Sequence, residues 1–113
     1  MNPKYHVGDK VYHFCSEMII ETIRRSIRRK NLVNIQELFE EINTYFVVEI
    51  SIKKNSIAYS VNTTNNDNYF TNLCYEENEL FADIETAKNI IKEIFKKELK
   101  EYQEIVNKSL ENL

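Results

Sequence analysis

From Asp83 to Leu113 the chain runs without a glycine or a proline. Within it Ala87, Ile90, Ile91, Ile94, Phe95, Leu99, Tyr102, Ile105, Val106, Leu110 and Leu113 recur at an average step of about 3.6 residues, with lysine and glutamate between them. Such spacing predicts one amphipathic helix over about 84–111, with Asp83 as its N-cap. No strict seven-residue repeat is kept, so the stripe suits packing on a domain better than a long supercoil. At 1.5 Å per residue the helix is roughly 40 Å long, more than the width of a small sheet. Its far end, from Tyr102 to Leu113, therefore needs a partner, and Leu99, Tyr102, Val106 and Leu110 are the expected contacts of a homodimer.

The rest of the chain carries a different period. Phe46, Val48, Ile50 and Ile52 alternate with Tyr45, Val47, Glu49 and Ser51, which places four apolar side chains on one face of a strand. After a turn at 53–56, Ile57, Tyr59 and Val61 resume the alternation, and the two runs predict an antiparallel hairpin. Gly8 and Asp9 form a turn between short runs of β-branched and aromatic residues at 5–7 and 10–15. Residues 62–68 are too polar for anything but a loop, and Tyr69 to Tyr75 can return as a further strand. Asn34 and Glu37 have capping-box spacing and open a short helix through Leu38, Phe39 and Ile42. The segment from Ser16 to Lys30 fits two templates. Ile19, Ile20, Ile23 and Ile27 share a helical face, whereas its β-branched content and the alternating run Ile19, Glu21, Ile23, Arg25, Ile27 fit a strand.

At 113 residues the chain suffices for one core, so a single domain over 1–113 is expected, with the sheet core at 4–75 and the inserted helix at about 34–42. Its 42% hydrophobic content is that of a chain able to fold. No stretch approaches the ~20 apolar residues that cross a bilayer, and the first residues contain no apolar signal segment. The expected location is the cytoplasm, with Cys15 and Cys74 as reduced, partly buried thiols.

Several chemistries lack their residues. A lone glycine, Gly8, does not build a phosphate cradle. The candidate soft-metal ligands are His6, His13, Cys15 and Cys74; His13 and Cys15 would share a strand face, but there is no Cys-x-x-Cys or His-x-x-x-His pair, so no metal or other cofactor is expected. The adjacent carboxylates Glu40, Glu41 and Glu76, Glu77 read as surface, and no catalytic residue is assigned.

Charge is segregated although the net charge is only −3. Arg24, Arg25, Arg28, Arg29 and Lys30 form a basic knot, which suits nucleic acid or a solvated sheet edge. Asp67, Glu76, Glu77, Glu79, Asp83 and Glu85 form an acidic arc, of which Glu76, Glu77, Glu79 and Asp83 are the expected contacts for a basic protein partner. The terminal helix balances six lysines with six glutamates, which disfavours a membrane surface.

The opening Tyr5-x-Val7-Gly8-Asp9-Lys10-Val11-Tyr12-x-Phe14, followed by Glu79-Leu80-Phe81-Ala82-x-x-Glu85-x-Ala87, resembles small phage and mobile-element proteins in which such a strand opens an SH3-like barrel and such a stretch leads into a closing helix. The resemblance covers the first fifteen residues and about a dozen near position 80. It implies an α+β fold built on a small antiparallel barrel, with Met18 to Ile27 as its second strand. Residues 28–44 are then an insertion, and the terminal helix is longer than in those proteins. It also implies a setting: a non-enzymatic protein that occupies a surface of a host protein, such as an anti-CRISPR-like inhibitor of a defence nuclease. A nucleic-acid-binding barrel using the basic knot and a structural homo-oligomer built on the terminal helix are the alternatives.

Overall fold

The computed structural model describes residues 2–31, 34–63 and 72–112, and they form an α+β protein. The elements are β1 (Lys10–His13), α1 (Ser16–Arg28), α2 (Ile35–Phe39), β2 (Asn43–Lys53), β3 (Ser56–Asn62), β4 (Leu73–Glu76), a 3-10 turn (Glu77–Glu79) and α3 (Ile84–Glu111). Two compact units result, one of Met1–His13 with Ile42–Ala87, the other of Phe14–Glu41 with Lys88–Leu113. Asp67, the residues Tyr69 to Thr71 of the expected return strand, and Leu113 lie outside the described residues.

The first unit holds an antiparallel sheet in the order β1-β2-β3-β4. The expected hairpin is present, with Lys53 paired to Ser56 across a two-residue turn. The barrel implied by the resemblance is not: the sheet is open, with β1 and β4 at its two edges. Gly8, at φ 95°, opens β1 as a strand-entry turn in which the Asp9 carboxylate accepts from the His6 N–H at 2.8 Å. Gly8 lacks the Cβ that makes this left-handed region costly. On its outer side β1 is bridged by Phe81, whose N–H and C=O both pair with Tyr12 at 2.9 Å. The two stretches that carry the resemblance therefore meet in space.

The core face of β2 differs from the simple alternation. Val47 pairs with Val61 but Glu49 pairs with Ser60, so Val48 is an extra residue in the strand. Such a bulge exchanges the faces of everything beyond it. Tyr45 and Val47 are buried ahead of the bulge and Ile50 packs on the core after it, in place of the expected Phe46, Val48, Ile50 and Ile52 set. Ile52 is exposed. Tyr5, Val11, Ile57, Tyr59, Val61 and Leu80 complete this core.

The second unit is helical. Met18 to Ile27, implied to be a strand, lies within α1. A strand would have carried Glu21 and Arg25 on the same face as Ile19, Ile23 and Ile27; the helix separates them and buries Ile19 and Ile23. Asn34 caps α2 by accepting from the Gln36 N–H at 3.0 Å, and the helix ends at Phe39, short of the expected Ile42. Lys88 and Lys92 of α3 lie 5.4 and 5.9 Å from the centre of the Phe39 ring. Asp83 caps α3 as expected, accepting from the Thr86 N–H at 2.8 Å. No helix among the described residues is long and apolar enough to cross a membrane.

Candidate functional site

The C-terminal end of α1 gathers the basic knot. After Arg28 the chain leaves the helix through Arg29 and Lys30, with Lys30 at φ 58°. The Lys30 N–H bonds to the Ile27 carbonyl at 3.1 Å and the Asn31 N–H to the Ser26 carbonyl at 2.9 Å, the Schellman pattern that satisfies the last carbonyls of a helix. Cations suit this position, because unpaired carbonyls make a helix C-terminus partly negative. The knot therefore lies on a helix end, not on a sheet edge.

Three of its five cations are held by acids of the same unit. The Arg24 Nε and a terminal guanidinium nitrogen donate to the two carboxylate oxygens of Glu98 at 2.9 and 3.3 Å. Glu98 is only 8% exposed, so Arg24 neutralises a carboxylate that burial would otherwise penalise. Arg28 donates to Glu21 at 2.9 Å and Arg25 stands 4.0 Å from it. Among the described residues, Arg29 and Lys30 have no carboxylate within ion-pair distance.

Against this end of α1 stands the far part of α3. Leu99, Tyr102, Ile105 and Leu110 are 41, 46, 63 and 61% exposed, and Val106 is half-buried. Between the two helices opens a cleft of about 410 Å³ lined by Arg24, Ile27, Arg28, Lys30, Glu98, Glu101, Tyr102 and Ile105. Ile27, Tyr102 and Ile105 supply its apolar surface, and the charged side chains form its rim. The α1 wall stops at Lys30, whereas α3 continues to Glu111, roughly 9 Å beyond Ile105. Two sets of residues that the sequence presents separately, the basic knot and the apolar end of the terminal helix, thus share one cleft. Ile105, the most exposed of these four apolar residues, and Ile27 are not among the expected contacts. The signal for Ile105 was its place in the stripe; nothing local marked Glu98 as the partner of Arg24.

The acidic segment is organised differently. Glu76 and Glu79 cap each other around the 3-10 turn, with the Glu76 N–H donating to Glu79 at 3.1 Å. Glu77 accepts from the Tyr59 hydroxyl and from the Lys4 N–H, and the Tyr59 bond is the main reason its carboxyl is held below the usual range. The N–H of Thr86 and then its hydroxyl likewise lower Asp83. A shallow depression of about 240 Å³ lies beside Glu76 and Glu77, lined also by Asn55, Ser56, Ile57 and Asn78. The four acids expected to contact a partner are thus all engaged in local or tertiary hydrogen bonds.

No protein-family model, curated protein or solved structure matches the chain.

The remaining polar candidates stand apart from one another. His13 stacks on Tyr75 at 4.0 Å between ring centres, and its Nδ1 is buried without a hydrogen-bond partner. Burial holds its pKa below the ordinary value, with Glu79 opposing. Cys15 and Cys74, expected to be partly buried, are both exposed thiols. Among the described residues no three His, Cys, Asp or Glu side chains are grouped to hold a metal ion.

Proposed function

We propose that this protein is a non-catalytic binding protein that works by covering a surface of another protein, with the exposed end of α3 and the α1–α3 cleft as its contact. The observation that carries this reading is the row of large apolar side chains, Leu99, Tyr102, Ile105 and Leu110, left in solvent beside an apolar cleft. Contiguous exposed apolar surface with a polar rim is characteristic of protein contacts. The acidic segment ranks behind it, because its carboxylates already accept hydrogen bonds from their own chain. The protein acts in the cytoplasm, where exposed thiols stay reduced. Action on a host protein from a phage or mobile element, with inhibition of a defence nuclease as its sharpest form, rests on the resemblance at 5–14 and 79–87.

Capture from host lysate tests this reading when variants are compared. A stoichiometric partner should be retained by wild type and by the doubly neutral Glu76→Gln, Glu79→Gln, and lost by Tyr102→Glu, Ile105→Glu. Loss with the acidic pair and retention with the helix pair overturns it. Binding of duplex DNA that weakens steeply with salt and disappears in Arg29→Ala, Lys30→Ala supports the nucleic-acid reading instead.

A further inference from the structure

We propose that the segment this cleft takes is an acidic amphipathic helix of the partner protein, with its apolar side against Ile27, Tyr102 and Ile105 and its carboxylates against Arg29 and Lys30. The proposal rests on reading this face as a protein contact, and names the chemistry of what covers it.

Charge decides the sign of the partner. Five cations stand at the end of α1, and three carboxylates are set against them, Glu21, Glu98 and Glu101. Glu98 above all, with smaller contributions from Glu101 and Glu21, favours the charged form of Arg24, and Glu21 also takes Arg25 and Arg28. Three carboxylates against five cations leave two positive charges over. Among the described residues, Arg29 and Lys30 are the two of the five with no acid within ion-pair distance. Both are exposed, and Lys30 lines the cleft together with Tyr102 and Ile105. Covering that apolar surface takes water from the neighbouring ammonium group, a cost that an opposing carboxylate offsets and a neutral or basic side chain does not.

The walls decide its conformation. Both are helices, whose backbone groups bond within themselves, so neither wall presents a strand edge. An extended segment laid between them would bury amide and carbonyl groups without partners, whereas a helix satisfies its own. Leu99, Ile105 and Val106 are the i−3, i+3 and i+4 neighbours of Tyr102 on α3, so a helix laid against Tyr102 meets a continuous apolar surface. The α1 wall stops at Lys30 while α3 runs on to Glu111. The occupant therefore lies along α3 past the end of α1, with one flank turned to Arg29 and Lys30, and that flank is the one that carries its acids.

A yeast-displayed library of helices about 18 residues, or five turns, long tests this against the full chain. Leucines are fixed at i, i+3, i+4 and i+7 spacing, and the flanking positions are randomised among glutamate, glutamine and lysine. Selection on wild type should enrich glutamate on one flank, and the selected helices should bind roughly fivefold more tightly than their glutamine counterparts. Arg29→Glu, Lys30→Glu changes two exposed side chains and should instead enrich lysine on that flank, with unchanged helix content by circular dichroism. Tyr102→Glu, Ile105→Glu should select nothing. The proposal is overturned by a library that yields no binder, by selected helices without a glutamate preference, or by the same glutamate preference in Arg29→Glu, Lys30→Glu. Tighter binding of a DNA duplex than of any selected helix also overturns it, and assigns the two cations to phosphate. The failures are distinguishable: helices without acid preference that Tyr102→Glu, Ile105→Glu loses sink the acidic partner and leave the binding face standing, whereas a lysate partner still retained by Tyr102→Glu, Ile105→Glu sinks the face itself.

Discussion

Tyr59 and Tyr102 are the same side chain put to opposite uses. Tyr59, on β3, is fully buried, and its hydroxyl accepts from the N–H groups of Lys4 and Tyr5 and donates to Glu77. Its ring meets Tyr5 edge-on at 5.3 Å, and Tyr5 in turn donates to the Leu80 carbonyl at 3.1 Å. Tyr102, on α3, is 46% exposed and borders the cleft. In the sheet unit, the polar groups around Tyr59 are satisfied by the chain itself, whereas the Nδ1 of His13 is buried without a partner. At the end of α3 large apolar side chains are left in solvent.

The largest effect that sharpens this contrast is Tyr59→Ala. It should lower the unfolding free energy by about 3–5 kcal/mol through the cavity it leaves, measured by urea denaturation. Tyr59→Phe keeps the ring and should lower it by about 1–3 kcal/mol, because the Tyr5 N–H then loses its acceptor. Either variant with wild-type stability breaks the claim that this tyrosine closes the sheet unit.

In the helical unit the corresponding effect has the opposite sign. Lys30 sits in the left-handed region, where a Cβ is unfavourable, so Lys30→Gly should raise stability by about 1 kcal/mol. A loss of stability would show that the lysine side chain contributes contacts beyond the helix terminus.

Acid should weaken the sheet unit through two groups. The Glu77 carboxyl is lowered in the folded state, so its contribution is present above pH 4.5 and is lost as pH falls through the folded value. Glu77→Gln should flatten that limb of the urea-midpoint profile. The His13 pKa is also lowered, and here the unfolded chain binds the proton more readily. Stability is then full above pH 6.5 and falls below it. His13→Phe preserves the stack on Tyr75 and should remove the decline in that window. A decline that persists in both variants would place the acid sensitivity elsewhere.

The smallest effect completes the comparison. Tyr102→Ala should change the unfolding free energy of the monomer by no more than about 0.5 kcal/mol, checked under dilute conditions. A loss on the scale of Tyr59→Ala would mean that α3 is held by its own unit at this point and needs no partner.

Legibility from the sequence varied with the range of the interactions involved. The Asp83 cap and the α3 stripe are local patterns, and both are found where they were read. The β2–β3 hairpin is equally local, but the bulge at Val48 is not. Alternation continues unbroken through 45–52, and the extra residue exists only because Val47 and Glu49 pair with the neighbouring Val61 and Ser60. At 16–28 two periods were present in one segment, and the resemblance favoured the strand. The helix keeps charge off the face that buries Ile19 and Ile23, a discrimination available in the sequence once the charged positions are placed.

The sequence by itself determined the class of the fold, the long helix and the segregation of charge, because each follows from residues a few positions apart. Only the tertiary structure decided that the acids of 76–83 are occupied with their own chain and that the basic knot and the end of the apolar stripe border one cleft. Arg24 and Glu98 are 74 residues apart in sequence, and Lys4 and Glu77 are separated by 73. No local spacing encodes such pairs, since they form only when packing brings distant surfaces to hydrogen-bonding distance and removes the water between them.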